Sequence, residues 1–128
     1  METQNPKYNL QERTLNFGKD IIRLCKSIKY CPVSFKIIDQ LVRSGTSVGA
    51  NYMEAINGSS KKDFKNKLFI CKKESQETKY WLSMLKESES DRAMDITPLI
   101  QECHELNLIF QKSINTVEEN LILNKLKT

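Results

Sequence analysis

Four stretches of this chain repeat apolar or small residues at alternating steps of four and three. That is the spacing of a helix burying one stripe in a left-handed bundle. The first runs Leu10, Thr14, Phe17, Ile21, Leu24, Ile28, and the second Ile38, Leu41, Gly45, Val48, Tyr52, Ala55. The third runs Phe64, Leu68, Cys71, Ser75, Thr78, Leu82, Leu85, and the fourth Leu99, Cys103, Leu106, Phe110, Ser113, Val117. No stretch sustains the period-two alternation of a strand. The pattern predicts an all-α fold, an antiparallel up-down-up-down four-helix bundle with helices over about 8–29, 33–57, 60–88 and 97–125.

Helix-end chemistry marks the breaks. Pro32 ends helix one and suits the first turn of helix two. Asn57-Gly58 is read as a left-handed C-terminal cap, and Ser60 as the N-cap of helix three with Asp63 in its first turn. Ser88-Glu89-Ser90-Asp91 reads as a loop, and Thr97-Pro98 as the N-cap and first turn of helix four. Such short connections force antiparallel neighbours. With 128 residues but only 4 Gly and 3 Pro, few turns interrupt long elements, so residues 1–128 are expected to form one domain with 1–7 frayed.

No apolar run is long enough to span a bilayer, and the opening residues lack the basic-then-apolar order of a signal peptide, so a cytoplasmic protein is expected. Cys25, Cys31, Cys71 and Cys103 form no CxxC pair, and three fall where the helices also want apolar residues. Reduced, buried thiols are the expectation.

The net charge of +4 is modest, but its distribution is uneven. Between Lys61 and Tyr80 lie seven lysines against three acids. Lys61, Lys65, Lys72 and Lys79 fall within about 40° of one another on a helix, with Lys62 and Lys73 further round. Such a belt would contact phosphates without reading sequence, giving binding that weakens steeply with salt. The ordinary alternative is a solvated lysine face.

Helix three carries a second stripe, Ile70, Glu74, Glu77, Trp81, Met84, roughly 100° from its core stripe. Trp81 and Met84 should not stand in water, and Tyr80 adjoins them, so this side is expected to meet another helix or subunit. On helix two, Arg43, Ser47, Ala50 and Glu54 lie opposite the core stripe, amid Ser44, Gly45 and Gly49. So many small, poor helix formers point to tight packing. A desolvated Arg43 would need a carboxylate, Glu54 or Glu77, from its own chain or a neighbour.

Catalytic constellations are hard to assemble. His104 is the only histidine, and Gln101 stands where a di-iron Glu-x-x-His motif needs glutamate. The nearest upstream arginine, Arg92, is too distant for a helical Arg-His ribonuclease pair. Adjacent Cys103 and His104 point about 100° apart on a helix and cannot pair. A zinc site from Cys25, Cys71 and Cys103 competes with their core positions, and no glycine-rich phosphate loop is present. No catalytic residue, metal or cofactor is expected.

The run from Leu41 to Ala55, with Asp63-Phe64, Leu68, Glu77, Tyr80, Trp81 and Leu82, strongly resembles the four-helix-bundle proteins encoded in 23S rRNA intervening sequences. The motif-bearing part spans helices two and three. The chain is also similar to the accessory protein of diversity-generating retroelements. The resemblance implies a small bacterial homo-oligomer, with relatives forming rings of five around a channel, and no established enzymatic activity. The retroelement likeness implies basic surfaces that engage a reverse transcriptase and nucleic acid. Arg43, Ser47, Asn51, Glu54, Glu77 and Trp81 match the family's recurrent polar and aromatic positions. Gly45 departs from its usual alanine, costing ~1 kcal/mol of helix propensity and loosening helix two locally.

The residues predict a non-enzymatic homo-oligomer whose partner is RNA, DNA or a nucleic-acid enzyme, with no membrane or small-molecule substrate, and the resemblance implies that it is a pentamer. Lys61, Lys62, Lys65, Lys72, Lys73 and Lys79 are the expected nucleic-acid contacts. Arg43, Ser47, Asn51, Glu54, Ile70, Glu77, Trp81 and Met84 are the expected oligomer interface. The competing expectation is a protein-interaction scaffold that binds no nucleic acid.

Overall fold

The computed structural model describes residues 9–127, so the expected fraying of 1–7 lies outside the described residues. Four α-helices follow in order: α1 (Leu10–Ser27), α2 (Pro32–Ile56), α3 (Lys61–Ser88) and α4 (Ala93–Lys127), with a 3-10 turn at Ser90–Arg92. Each packs against its sequence neighbour, and α1 returns to α4 to close an antiparallel bundle. At ~1.5 Å per residue, α3 is about 42 Å long and α4 about 52 Å, against about 27 Å for α1.

The predicted stripes are the core. All six residues of the first stripe are buried, and Leu68, Cys71, Leu82, Leu85, Leu106 and Phe110 are at most 1% exposed. Polar members bond back to their own helix: Thr14 Oγ1 donates to Leu10 O at 2.7 Å, Ser75 Oγ to Lys72 O at 2.8 Å, and Thr78 Oγ1 to Glu74 O at 2.7 Å. On α4 the stripe drifts, and Ile114 is fully buried where Ser113 was expected, since an ideal helix falls behind a strict heptad.

The small residues of α2 serve α1 of the same chain. A Cβ on Gly45 would lie 3.0 Å from Ile21 Cγ1, and one on Gly49 would lie 3.2 Å from Thr14 O. Gly45 thus marks a close helix approach, and the loosening expected of it gives way to contact.

Four helix ends were read from sequence with mixed results. Pro32 opens α2, and Ser60 Oγ accepts the Asp63 N–H at 3.1 Å, both as predicted. Among the described residues no residue has a positive φ, so Asn57-Gly58 is not a left-handed cap; Asn57 stays at φ −100° and Gly58 N–H reaches Ala55 O at 3.2 Å. Helix four starts at Ala93, earlier than Thr97-Pro98 implied, because the 3-10 turn feeds it directly and Arg92 pairs with Asp95 at 2.9 Å. Pro98 therefore sits inside α4. Its ring faces solvent one turn after Met94, itself 91% exposed, so the carbonyl that loses its donor can turn to water.

Between α1 and α4 the closure is polar. Arg13 grips Glu102 with two hydrogen bonds, 2.8 and 2.6 Å, and Glu105 with a third at 3.1 Å. At the other end of α1, Arg92 donates to Ser27 O at 3.2 Å and Ser27 Oγ at 2.8 Å.

Candidate nucleic-acid interface

Because α3 packs on α2 along one side and α4 along the other, its residues outside the core stripe fall on two flanks and an outward face. The heptad interval that keeps a stripe in line also aligns Lys65, Lys72 and Lys79, about 10 Å apart. This row lies on the α4 side. Lys72 Nζ donates to Gln111 Oε1 at 2.6 Å, while Asn107 Nδ2 reaches Lys72 O and Ser75 Oγ at 3.2 Å each. Lys79 lies near enough to Cys103 to act on its thiol. Lys62 and Lys65 line a surface groove with Glu118, Leu121, Ile122 and Lys125 of α4. Lys61 and Lys73 are exposed. The six predicted lysines thus lie along one length of α3, Lys72 held by an amide. Among the described residues, none of the six forms an ion pair with a carboxylate.

The α2 side is different. Arg43 forms an ion pair with Glu77, lies 3.6 Å from Glu74 Oε2, and donates to Gln40 Oε1 at 3.2 and 3.1 Å. Trp81 Nε1 reaches Glu77 Oε1 at 3.4 Å. Of the two carboxylates predicted for Arg43, Glu77 of its own chain is the partner. Glu54 instead pairs with Lys67 at 3.4 Å, since it lies three turns further along α2. Glu74, buried and with Oε2 lacking a hydrogen bond, is a second partner that the sequence reading placed in the stripe without a role.

Ile70, Glu77 and Trp81 are half-buried; Trp81 packs on the core, and Glu77 meets Arg43 of α2 in the same chain. Met84 remains 36% exposed. On α2, Ser47 Oγ donates to Arg43 O at 2.7 Å and Asn51 Nδ2 to Ser47 O at 2.9 Å, so both polar groups bond along their own helix. The eight predicted interface residues therefore form one surface along the α2–α3 seam.

One feature of α3 escaped the two-stripe reading. Phe69 and Tyr80 fall on neither stripe, and both point outward, 44% and 55% exposed. Tyr80 was read only as a neighbour of Trp81 and Met84, and the spacing of eleven residues, three helical turns, is the signal that would have joined Phe69 to it.

The thiols divide likewise. Burial pushes Cys103 and Cys71 up to about 12 and Cys25 up to about 11. A thiol so raised is no nucleophile, which counts against chemistry from Cys103 beside exposed His104. Half-exposed Cys31 goes the other way, lowered chiefly by the backbone N–H of Ser34. Among the described residues, no group of three or more His, Cys, Asp or Glu could hold a metal ion, and no helix is long and apolar enough to cross a membrane.

Comparison with known proteins fits this architecture. A solved structure described as a protein of unknown function from the S23 ribosomal protein family of Bacteroides thetaiotaomicron is 33% identical, with a TM-score of 0.73. The match covers 82% of this chain and 97% of that one. No curated protein matches. The family model described as 23S rRNA-intervening sequence protein matches residues 7–116, so the chain belongs to that family.

Proposed function

We propose that this protein is a non-enzymatic bundle of the bacterial cytoplasm that assembles with copies of itself, five being the expected number. It binds nucleic acid, or a partner that processes nucleic acid, through the basic length of α3. The observation that carries the reading is the row Lys65, Lys72, Lys79, with Lys61, Lys62 and Lys73 beside it, which no carboxylate neutralises by an ion pair among the described residues. On the α2 side of the same helix Lys67 is answered by Glu54 and Glu77 by Arg43, both partners lying on α2. Ring symmetry would repeat the row around the assembly and multiply its field.

The second reading is a scaffold that binds only protein. Exposed Tyr80 and Met84 beside the half-buried Trp81 favour it, since apolar patches on a surface mark contacts between proteins. Filter binding to RNA at low and moderate salt separates the two. Retention at low salt that falls steeply with added salt supports the first reading, and no retention at low salt ends it. Native mass spectrometry of the same sample counts the subunits.

A further inference from the structure

The outward face of α3 carries more than charge. Phe69 and Tyr80 are separated by three helical turns, so their directions differ by only about 20° and their positions by about 16 Å along the axis. Lys62 shares their line one heptad before Phe69, Lys65 and Lys73 stand one turn to either side of Phe69, and exposed Gln76 lies between the rings. Lys72 and Lys79 border this line toward α4.

A lone exposed aromatic is ordinary on a protein surface. Two on one line, set among lysines without ion-pair partners, are not explained by the packing of the bundle. Three of the four acids of α3 are turned away from this line: Glu74 and Glu77 face Arg43, and Asp63 accepts from Ser59 Oγ at 2.7 Å while its backbone N–H donates to Ser60 Oγ; exposed Glu87 stands one heptad beyond Tyr80, past the second ring. Tyr80 rests edge-on against Trp81, ring centroids 5.0 Å apart at 79°, which braces its ring while over half of the residue stays exposed.

We infer that the outward face of α3 is a platform for single-stranded nucleic acid, with bases stacking on Phe69 and Tyr80 while Lys62, Lys65, Lys72, Lys73 and Lys79 hold the phosphates. This rests on the nucleic-acid reading above and narrows it to a strand whose bases are free. A duplex buries its base faces in its own stack, whereas an unpaired strand can turn them onto aromatic rings. At a stacked rise of ~3.4 Å per nucleotide, about five nucleotides span the two rings. Stacking accepts any base, so recognition depends on strandedness and is tolerant of sequence.

The test is fluorescence anisotropy at low salt with a dye-labelled oligo(U) of about 15 nucleotides, alone and annealed to oligo(A). The single strand should bind at least tenfold more tightly than the duplex. Phe69→Ala and Tyr80→Ala should each weaken single-strand binding about tenfold, leaving duplex binding and the salt slope unchanged. The double variant Phe69→Leu/Tyr80→Leu keeps apolar bulk but has no ring to stack on, and should lose single-strand affinity as the alanine variants do. Circular dichroism should show every variant folded. As an unlabelled readout, Trp81, the only tryptophan, should change its emission as the single strand is added. If the leucine variant binds like wild type, or single strand and duplex weaken together, the stacking platform is overturned while the basic surface stands. If neither strand form binds wild type at low salt, the nucleic-acid reading itself falls, and the platform with it.

Discussion

Along the α2 side of α3, Glu77 holds Arg43, Arg43 leans toward buried Glu74, Trp81 donates to Glu77, and Lys67 meets Glu54. Along the α4 side, Lys72 finds only an amide oxygen, and no carboxylate pairs with Lys65 or Lys79. Both flanks border the same core stripe, and both lie on one helix. The difference is in what the neighbouring helix supplies. Helix α2 offers a guanidinium to two carboxylates, so the charge is spent inside the chain. Helix α4 turns Glu102 and Glu105 toward Arg13 of α1, leaving the α3 lysines to amides and water. Charge that a fold leaves unpaired along a length of helix is available to a partner, and that asymmetry makes the α4 side and outward face the candidate binding surface.

Beneath the surface the flanks should be alike, and thiol reactivity gives the largest expected contrast. Cys71, whose Sγ reaches Val48 O at 3.7 Å, lies under the α2 side, and Cys103 faces α3 from α4. Both are buried and raised to about 12, so at pH 8 both are neutral as well as shielded. Cys31 is half-exposed with its thiol lowered. Iodoacetamide followed by intact mass should show one rapid adduct at Cys31, with Cys71 and Cys103 slower by roughly a thousandfold or more, because they react only through opening of the bundle. Raised thiol values also set a sign. The stability they contribute is full below the unfolded value of 9.0 and is lost as pH rises toward 12. Fast labelling of Cys103 alone would mean that the α4 side is open, and the comparison of equal interiors would fail.

Charge reversal comes next in size. Lys65→Glu with Lys72→Glu should reduce RNA affinity by roughly a hundredfold or more at low salt and flatten the salt slope by about two, since two phosphate contacts become repulsive. Stability should fall by about 1–2 kcal/mol at most, because neither lysine is in an ion pair and only the hydrogen bond from Lys72 to Gln111 is lost. The reverse holds on the other flank. Arg43→Ala strands two carboxylates, one of them buried, and should cost about 2 kcal/mol in urea unfolding while leaving RNA binding within about twofold. The figure is held low because the Arg43 side chain is 48% exposed. Light scattering on the same variant tests the proposed assembly: an unchanged oligomeric mass would count against Arg43 as an interface residue.

The core was legible because the heptad stripe is a direct readout of burial: it named most of the buried residues but missed, among others, Cys25, Ser34, Ser44, Ile96 and Ile114, and five of its members are only half-buried. The flanks were legible only by half. Composition located the lysines, and the need of a guanidinium for a carboxylate pointed to Glu77, but the choice between Glu54 and Glu77 depends on the axial offset of α2 against α3. No periodicity encodes that offset. The start of α4 was misplaced for a related reason. A proline is equally at home in a first turn or on the wet side of a second one, and only the 3-10 turn at Ser90–Arg92 decides between them. Phe69 went unread, and Tyr80 was read only as a neighbour of Trp81, because the stripes that explain a bundle draw attention to what it buries.

One constraint on the position of α2 is its close contact with α1 at Gly45, and the smallest prediction tests that. Gly18 and Gly45 sit on facing helices at the same crossing, yet alanine should act oppositely at the two. A Cβ at Gly18 would stand 3.8 Å from Gly45 O and Thr46 Cα, ordinary contact, so Gly18→Ala should stabilise by about 0.5 kcal/mol through helix propensity. A Cβ at Gly45 would come within 3.0 and 3.1 Å of Ile21, a fully buried side chain with no room to yield. Overpacking there should outweigh the propensity gain and leave Gly45→Ala destabilised by about 1 kcal/mol. The strain would lift α2 near Arg43, so the same variant should shift Trp81 emission through Glu77 while RNA binding on the far side of α3 stays as it was. Unfolding curves for the two alanines that move in the same direction would show that the crossing is looser than the contacts imply. The position of Arg43 over Glu77 would then need a cause other than the fit of Gly45 on Ile21.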